Sequence, residues 1–113
     1  MMRALITLSP LIYREAVAQS VRQRRPGFEV RIAPPEAVEE EVRAFKPHLL
    51  VRNDTDGIDQ KVLAGVPCWV EVIHSDSMDA KISVDGRLEE VSDISTEELL
   101  RVADEAEAGT WKP

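Results

Sequence analysis

The chain has 113 residues, 43% of them hydrophobic, and a net charge of −7, which suits one folded domain with a core of its own. So acidic a whole argues against nucleic-acid binding, which needs phosphate neutralisation by Lys and Arg. Apolar runs are as short as Ala4-Leu5-Ile6 and Leu49-Leu50-Val51, so no membrane span of roughly 18 residues and no signal-peptide core is expected.

Residues 3–8 (RALITL) predict a short apolar strand. Ser9-Pro10 then reads as a helix N-cap followed by proline at the first helical position. Tyr13, Ala16, Val17 and Val21 recur at helical spacing, so one face of residues 10–25 is expected to pack on a core. The first 31 residues carry six basic groups against Glu15 and Glu29, a local +4 that leaves −11 for the rest. Arg22-Gln23-Arg24-Arg25 is the one cluster where an anionic partner would dock; a solvated helix end with favourable dipole interactions is the simpler reading. Pro26-Gly27 ends the helix, and Phe28 to Ala33 alternates apolar and charged residues as a half-exposed edge strand does.

Pro34-Pro35 opens a second helix whose buried face is Val38, Val42 and Phe45, with Glu36 to Glu41 at the dipole-favoured end. Lys46-Pro47 closes it. His48 to Arg52 is the third strand, buried on both faces, with His48 packing or capping its start. Ile58 to Ala64 allows only a stub of helix before Gly65. Cys68 to Ile73 is a fourth strand. The single cysteine excludes an internal disulfide and reads as a buried residue of a cytoplasmic protein, the alternative being a reactive thiol. Residues 81–91 (KISVDGRLEEV) alternate about Asp85-Gly86, a hairpin signal. Ser95 to Glu98 forms a capping box for a last helix that ends at Gly109, with 110–113 as a tail.

This order predicts an α/β fold: a three-layer, doubly wound sandwich with a mostly parallel five-stranded sheet in order 2-1-3-4-5, and a β-hairpin in place of the fourth helix. Residues 1–109 form its single domain. In that strand order the ends of strands one and three border the topological switch point. A ligand or reaction is then expected against Ser9, Asn53, Asp54, His74 and Ser75.

The chain resembles a response-regulator receiver domain over roughly residues 3–109. Ser9-Pro10-Leu11-Ile12-Tyr13-Arg14-Glu15 is similar to the receiver stretch after the first strand. Residues 46–53 (KPHLLVRN) are similar to the strand that carries the phosphoacceptor, and Asn53 to Gly57 follow it as the receiver loop would. Residues 92–100 (SDISTEELL) look like the approach to the last helix. The resemblance implies a flavodoxin-like scaffold and a signalling role. Receiver chemistry needs two acids at the end of strand one to hold a divalent cation beside the acceptor aspartate. Residues 3–14 contain neither Asp nor Glu, and the acceptor position holds Asn53, whose amide cannot form an acyl phosphate. Asp54, one residue later, is the remaining candidate acceptor. His74-Ser75 takes the place of the signalling hydroxyl, and Ser92 falls near that of the lysine.

Other chemistry on this rim is weaker. His74, Asp76 and Asp79, with Asp54 and Asp56, are metal-capable groups whose spacing matches no ligand pattern. Residues 54–59 (DTDGID) lack the glycine and glutamate of an EF-hand loop. Solvated turns favour Asp and Gly for their own reasons. No nucleophile elbow or glycine-rich phosphate loop accompanies Ser9, His74 or Ser75.

The reading is therefore a non-catalytic, phosphorylation-independent interaction module without cofactor or metal, and with no nucleic-acid or membrane partner. It would act on a protein partner, or as a homodimer through a sheet edge at Ile82-Ser83-Val84 and its mate. The competing reading is a small-ligand-binding or enzymatic domain using Asn53, Asp54, His74 and Asp76.

Overall fold

In the computed structural model, which describes residues 2–73 and 79–109, strand and helix alternate through the first four strands. The order is β1 (Met2–Ile6), α1 (Leu11–Arg24), β2 (Phe28–Ile32), α2 (Val38–Phe45), β3 (Leu49–Asn53), α3 (Gln60–Ala64) and β4 (Cys68–Val72). A 3-10 turn at Pro35–Ala37 leads into α2. Then come β5 (Ala80–Val84), β6 (Arg87–Val91) and α4 (Thr96–Gly109).

The strands form one mixed sheet in the order β2-β1-β3-β4-β5-β6. β1 to β4 pair in parallel, whereas β5 runs antiparallel to β4 and β6 antiparallel to β5. This corrects the expected five-stranded, mostly parallel sheet. A parallel strand after β4 would need a crossover of about a dozen residues. Here only residues 73–79 intervene, and the Ile73 N–H donates to the Asp79 carbonyl at 2.8 Å. β5 runs back along β4, so the hairpin extends the sheet rather than standing in for a helix. β2 is an edge, as its alternation predicts; the other edge is β6. Ile82-Ser83-Val84 is thus not itself an edge, since β5 is paired on both flanks.

Two apolar layers follow from the pleat. Ala4, Ile6, Leu49, Val51, Val70 and Ile82 face Ala18 and Val21 of α1 and the Leu99-Leu100, Val102-Ala103 and Ala106 stripe of α4. On the opposite face Leu5 and Leu50 pack with Val38, Val42 and Phe45 of α2 and Leu63 of α3. β3 is buried along its whole length because both layers use it.

Local signals explain most boundaries. Asp85 (φ 52°) and Gly86 (φ 85°) both take left-handed conformations, as a two-residue hairpin turn that matches strand twist requires. The Ser95 hydroxyl accepts the Glu98 N–H at 3.2 Å and caps α4. Asp59 caps the five-residue α3 by accepting the Lys61 N–H at 2.8 Å.

Helix α1 keeps Val17 and Val21 of its expected face against the core but departs from the rest of that face and from its expected cap. Pro10 takes the N-cap position with no side-chain cap, and Tyr13 and Ala16 are exposed while Ala18 and Val21 are buried. Two arginines of the Arg22–Arg25 cluster are paired with carboxylates of the protein itself. Arg24 makes a two-pronged pair with Glu97 (2.7 and 3.2 Å), and Arg25 pairs with Asp104, lashing the end of α1 to α4.

Candidate functional site

The C-terminal ends of β1 and β3 lie side by side, so the loop that opens at Ser9 meets the end of Asn53. Leu49, Val51 and Asn53 point to the α1/α4 face of the sheet, and Leu50 and Arg52 to the other, by the two-residue period of the strand. Asn53 is only 4% exposed. Its Oδ1 accepts the Ser9 N–H at 2.7 Å, and its Nδ2 donates to the Val72 carbonyl at 3.4 Å. One amide thus bridges the β1–α1 loop to β4 across β3, with a contact at each end. This tie gives Ser9 an employment other than capping, because its N–H is drawn to the sheet rather than its hydroxyl to the helix.

On the opposite face Arg52 is 3% exposed and carries a charge into the protein. Its Nε and Nη2 donate to the two carboxylate oxygens of Asp56 at 2.8 and 2.7 Å, and Glu71 of β4 lies 3.4 Å from Nη1. The Asp56 side chain is wholly buried, and one of its oxygens also accepts the Ile58 N–H at 3.1 Å. Such a bidentate pair satisfies both ions in geometry matched to guanidinium and carboxylate. Asp56 is therefore a structural group: it neutralises Arg52 and shapes the turn through Gly57, which takes a positive φ of 73°. Arg52 is the residue that the sequence reading passed over. An arginine at a strand end, four residues before an aspartate and a glycine turn, was the available signal.

Asp54 is exposed, and its backbone N–H donates to the same Val72 carbonyl at 3.1 Å. The remaining rim candidates, His74, Ser75 and Asp76, lie outside the described residues. Among the described residues no group of three His, Cys, Asp or Glu is placed to hold a metal ion, and no helix is long and apolar enough to cross a membrane. Cys68 is buried, and burial pushes its thiol up, away from the thiolate that reactivity needs.

His48 does more than pack. Its Nδ1 accepts the Arg3 N–H at 3.0 Å, while its own N–H donates to the Arg3 carbonyl at 2.8 Å and its carbonyl accepts the Cys68 N–H at 3.1 Å. It ties β1, β3 and β4 together at the end of the sheet opposite Asn53. With Nδ1 accepting, the ring proton sits on Nε2. Partial burial, and then the neighbouring Arg3 charge, hold its pKa below the ordinary histidine value.

What the rim can do chemically follows from these contacts. Asn53 and Asp56 have their polar atoms committed to protein partners, so neither is poised as nucleophile, base or ligand. Comparison with protein-family models, with curated proteins and with solved structures returns no match to this chain.

Proposed function

We propose that the chain is a receiver-like regulatory module that acts by binding a protein partner and does so without phosphoryl transfer. The observation that carries this reading is the double use of the Asn53 amide, at the strand-end position the receiver resemblance assigns to the phosphoacceptor. An amide that clamps Ser9 to Val72 supports a permanently set switch loop in place of one that responds to a covalent group. The surface beside the clamp supports the binding role. Leu11, Ile12 and Tyr13 follow directly on the tethered loop and are 50, 71 and 47% exposed. Consecutive large apolar groups left in water mark interaction surfaces more often than scattered ones do. The flank of β6 that is unpaired among the described residues gives a second copy of the chain a place to add a strand.

The test is incubation with magnesium and acetyl phosphate followed by intact-mass measurement. The mass is expected to stay unchanged. A gain of one phosphoryl group that disappears in Asp54→Ala would overturn the proposal.

A further inference from the structure

Away from the Asn53 rim, at the other end of the sheet, α2 and α3 part over the starts of β3 and β4 and leave a groove of about 560 Å³. That volume lies within the range of small-molecule sites. Its apolar lining comes from Val42, Val62, Val66 and the two prolines Pro47 and Pro67, and its polar lining is mostly cationic: Arg3, Arg43, Lys46 and Lys61, with His48 and a single carboxylate, Asp59. In a chain of net charge −7 this concentration of positive charge is unexpected.

The cations are also poorly neutralised. The other paired arginines of the protein hold carboxylates at 2.5–3.4 Å, as Arg24, Arg25, Arg31, Arg52 and Arg101 do. Around the groove only Arg43 has such a partner, Glu39 at a loose 3.8 Å. Among the described residues no carboxylate lies within salt-bridge distance of Arg3, Lys46 or Lys61. Asp59 caps α3 by accepting the Lys61 N–H and keeps its charge, so it offsets one of these three cations. Arg3 is oriented rather than neutralised: its Nε donates to the Lys46 carbonyl at 3.0 Å, which occupies an acceptor at the C-terminal end of α2 and leaves the guanidinium charge uncompensated. Lys46 itself sits at φ 51° just past that helix. His48 contributes an Nε2–H donor, because its Nδ1 is taken by the Arg3 N–H.

We propose that this groove binds a small organic phosphate, its phosphate held by Arg3, Lys46 and Lys61 and its apolar body lying on Val62 and Val66. The charge balance favours phosphate over a single carboxylate. With Arg43 set against Glu39, the charges of Arg3, Lys46 and Lys61 less that of Asp59 leave a net +2. This calls for more than one negative charge on the ligand, and a phosphate monoester carries about −1.5 to −2 near neutral pH. The flanking valines and prolines distinguish an organic ester from the bare ion, for which they offer nothing. This site is independent of the receiver-like reading, whose position is at the opposite end of the strands.

Isothermal titration calorimetry on the full chain tests the proposal with AMP and inorganic phosphate as probes. AMP should bind about tenfold or more tightly than inorganic phosphate, and its affinity should fall at least about tenfold in Lys46→Gln/Lys61→Gln, an increment of binding energy that two charge contacts readily supply. Both lysines are exposed, so the double variant should keep the thermal midpoint of the parent, which a melting curve verifies. Lys81→Gln, at an exposed position of β5 away from the groove, should leave AMP binding unchanged. Absence of binding by AMP at millimolar concentration, equal affinities for AMP and inorganic phosphate, or an equal loss in Lys81→Gln would each overturn the inference.

Discussion

The residues that matter most here are polar groups inside the fold, and each makes a checkable demand on stability. Arg52 and Asp56 have side chains 4% and 0% exposed and bond to each other twice. Removing Asp56 leaves Arg52 buried with only the looser Glu71 contact at 3.4 Å, which costs up to about 3–5 kcal/mol, whereas replacing both Arg52 and Asp56 by apolar groups is milder. Urea denaturation should therefore show Asp56→Ala as severely destabilised and Arg52→Met/Asp56→Leu as closer to the parent. Similar losses in the two would contradict a buried ion pair. His48 makes a demand on pH. Its folded pKa is held below the ordinary value of 6.5, so the unfolded chain takes up the proton first. The contribution is complete above about pH 6.5 and is lost as pH falls through the lower folded value. Denaturation at about pH 7.5 and about pH 5 should show a decline that His48→Gln reduces. The Arg52–Asp56 pair spans only four residues and had a local signal, but Arg3 meets His48 and Asn53 meets Ser9 only across 45 and 44 residues of chain, which no local pattern reveals.

At the scale of elements the sequence was far more informative, and the reason is that the signals are local. The Ser95–Glu98 box, the Asp85-Gly86 turn and the Val38, Val42, Phe45 face each involve residues within a turn or two of one another. Ser95→Ala should cost about 1 kcal/mol, the usual worth of a lost N-cap, read as a lowered urea midpoint with unchanged slope. Helix α1 shows the opposite case. Of the face its spacing offers, Val21 is buried and Val17 partly so, whereas Tyr13 and Ala16 are exposed and Ala18 is buried in their stead. The helix is also tethered near both ends, by the Ser9–Asn53 bond and by the Arg24 and Arg25 pairs to α4. Glu97 and Asp104 are held below their ordinary values, chiefly by hydrogen bonds from these arginines. Their contribution is present above about pH 4 and is lost as acid protonates them, a window below that of His48.

For the whole molecule the decisive feature is that the sheet continues past β4 by turning back. One consequence is an unequal covering of the hairpin. α4 packs on one face of β5, while Leu88 of β6 is 70% exposed. Leu100, 1% exposed between α4 and the sheet, should cost about 2–5 kcal/mol when cut to Ala. Leu88→Ala should stay within about 0.5 kcal/mol, and comparable losses from the two would contradict this layering. The sequence by itself determined which segments are strands and helices and where most of them end, because periodicity, caps and turn residues act over a few positions. It also placed Asn53 at a strand end and kept acids out of the first strand. Only the tertiary structure decided the two hydrogen bonds of the Asn53 amide and the gathering of Arg3, Lys46 and Lys61 around one groove. Those outcomes depend on which distant segments meet, and contacts between distant segments leave no local pattern to read.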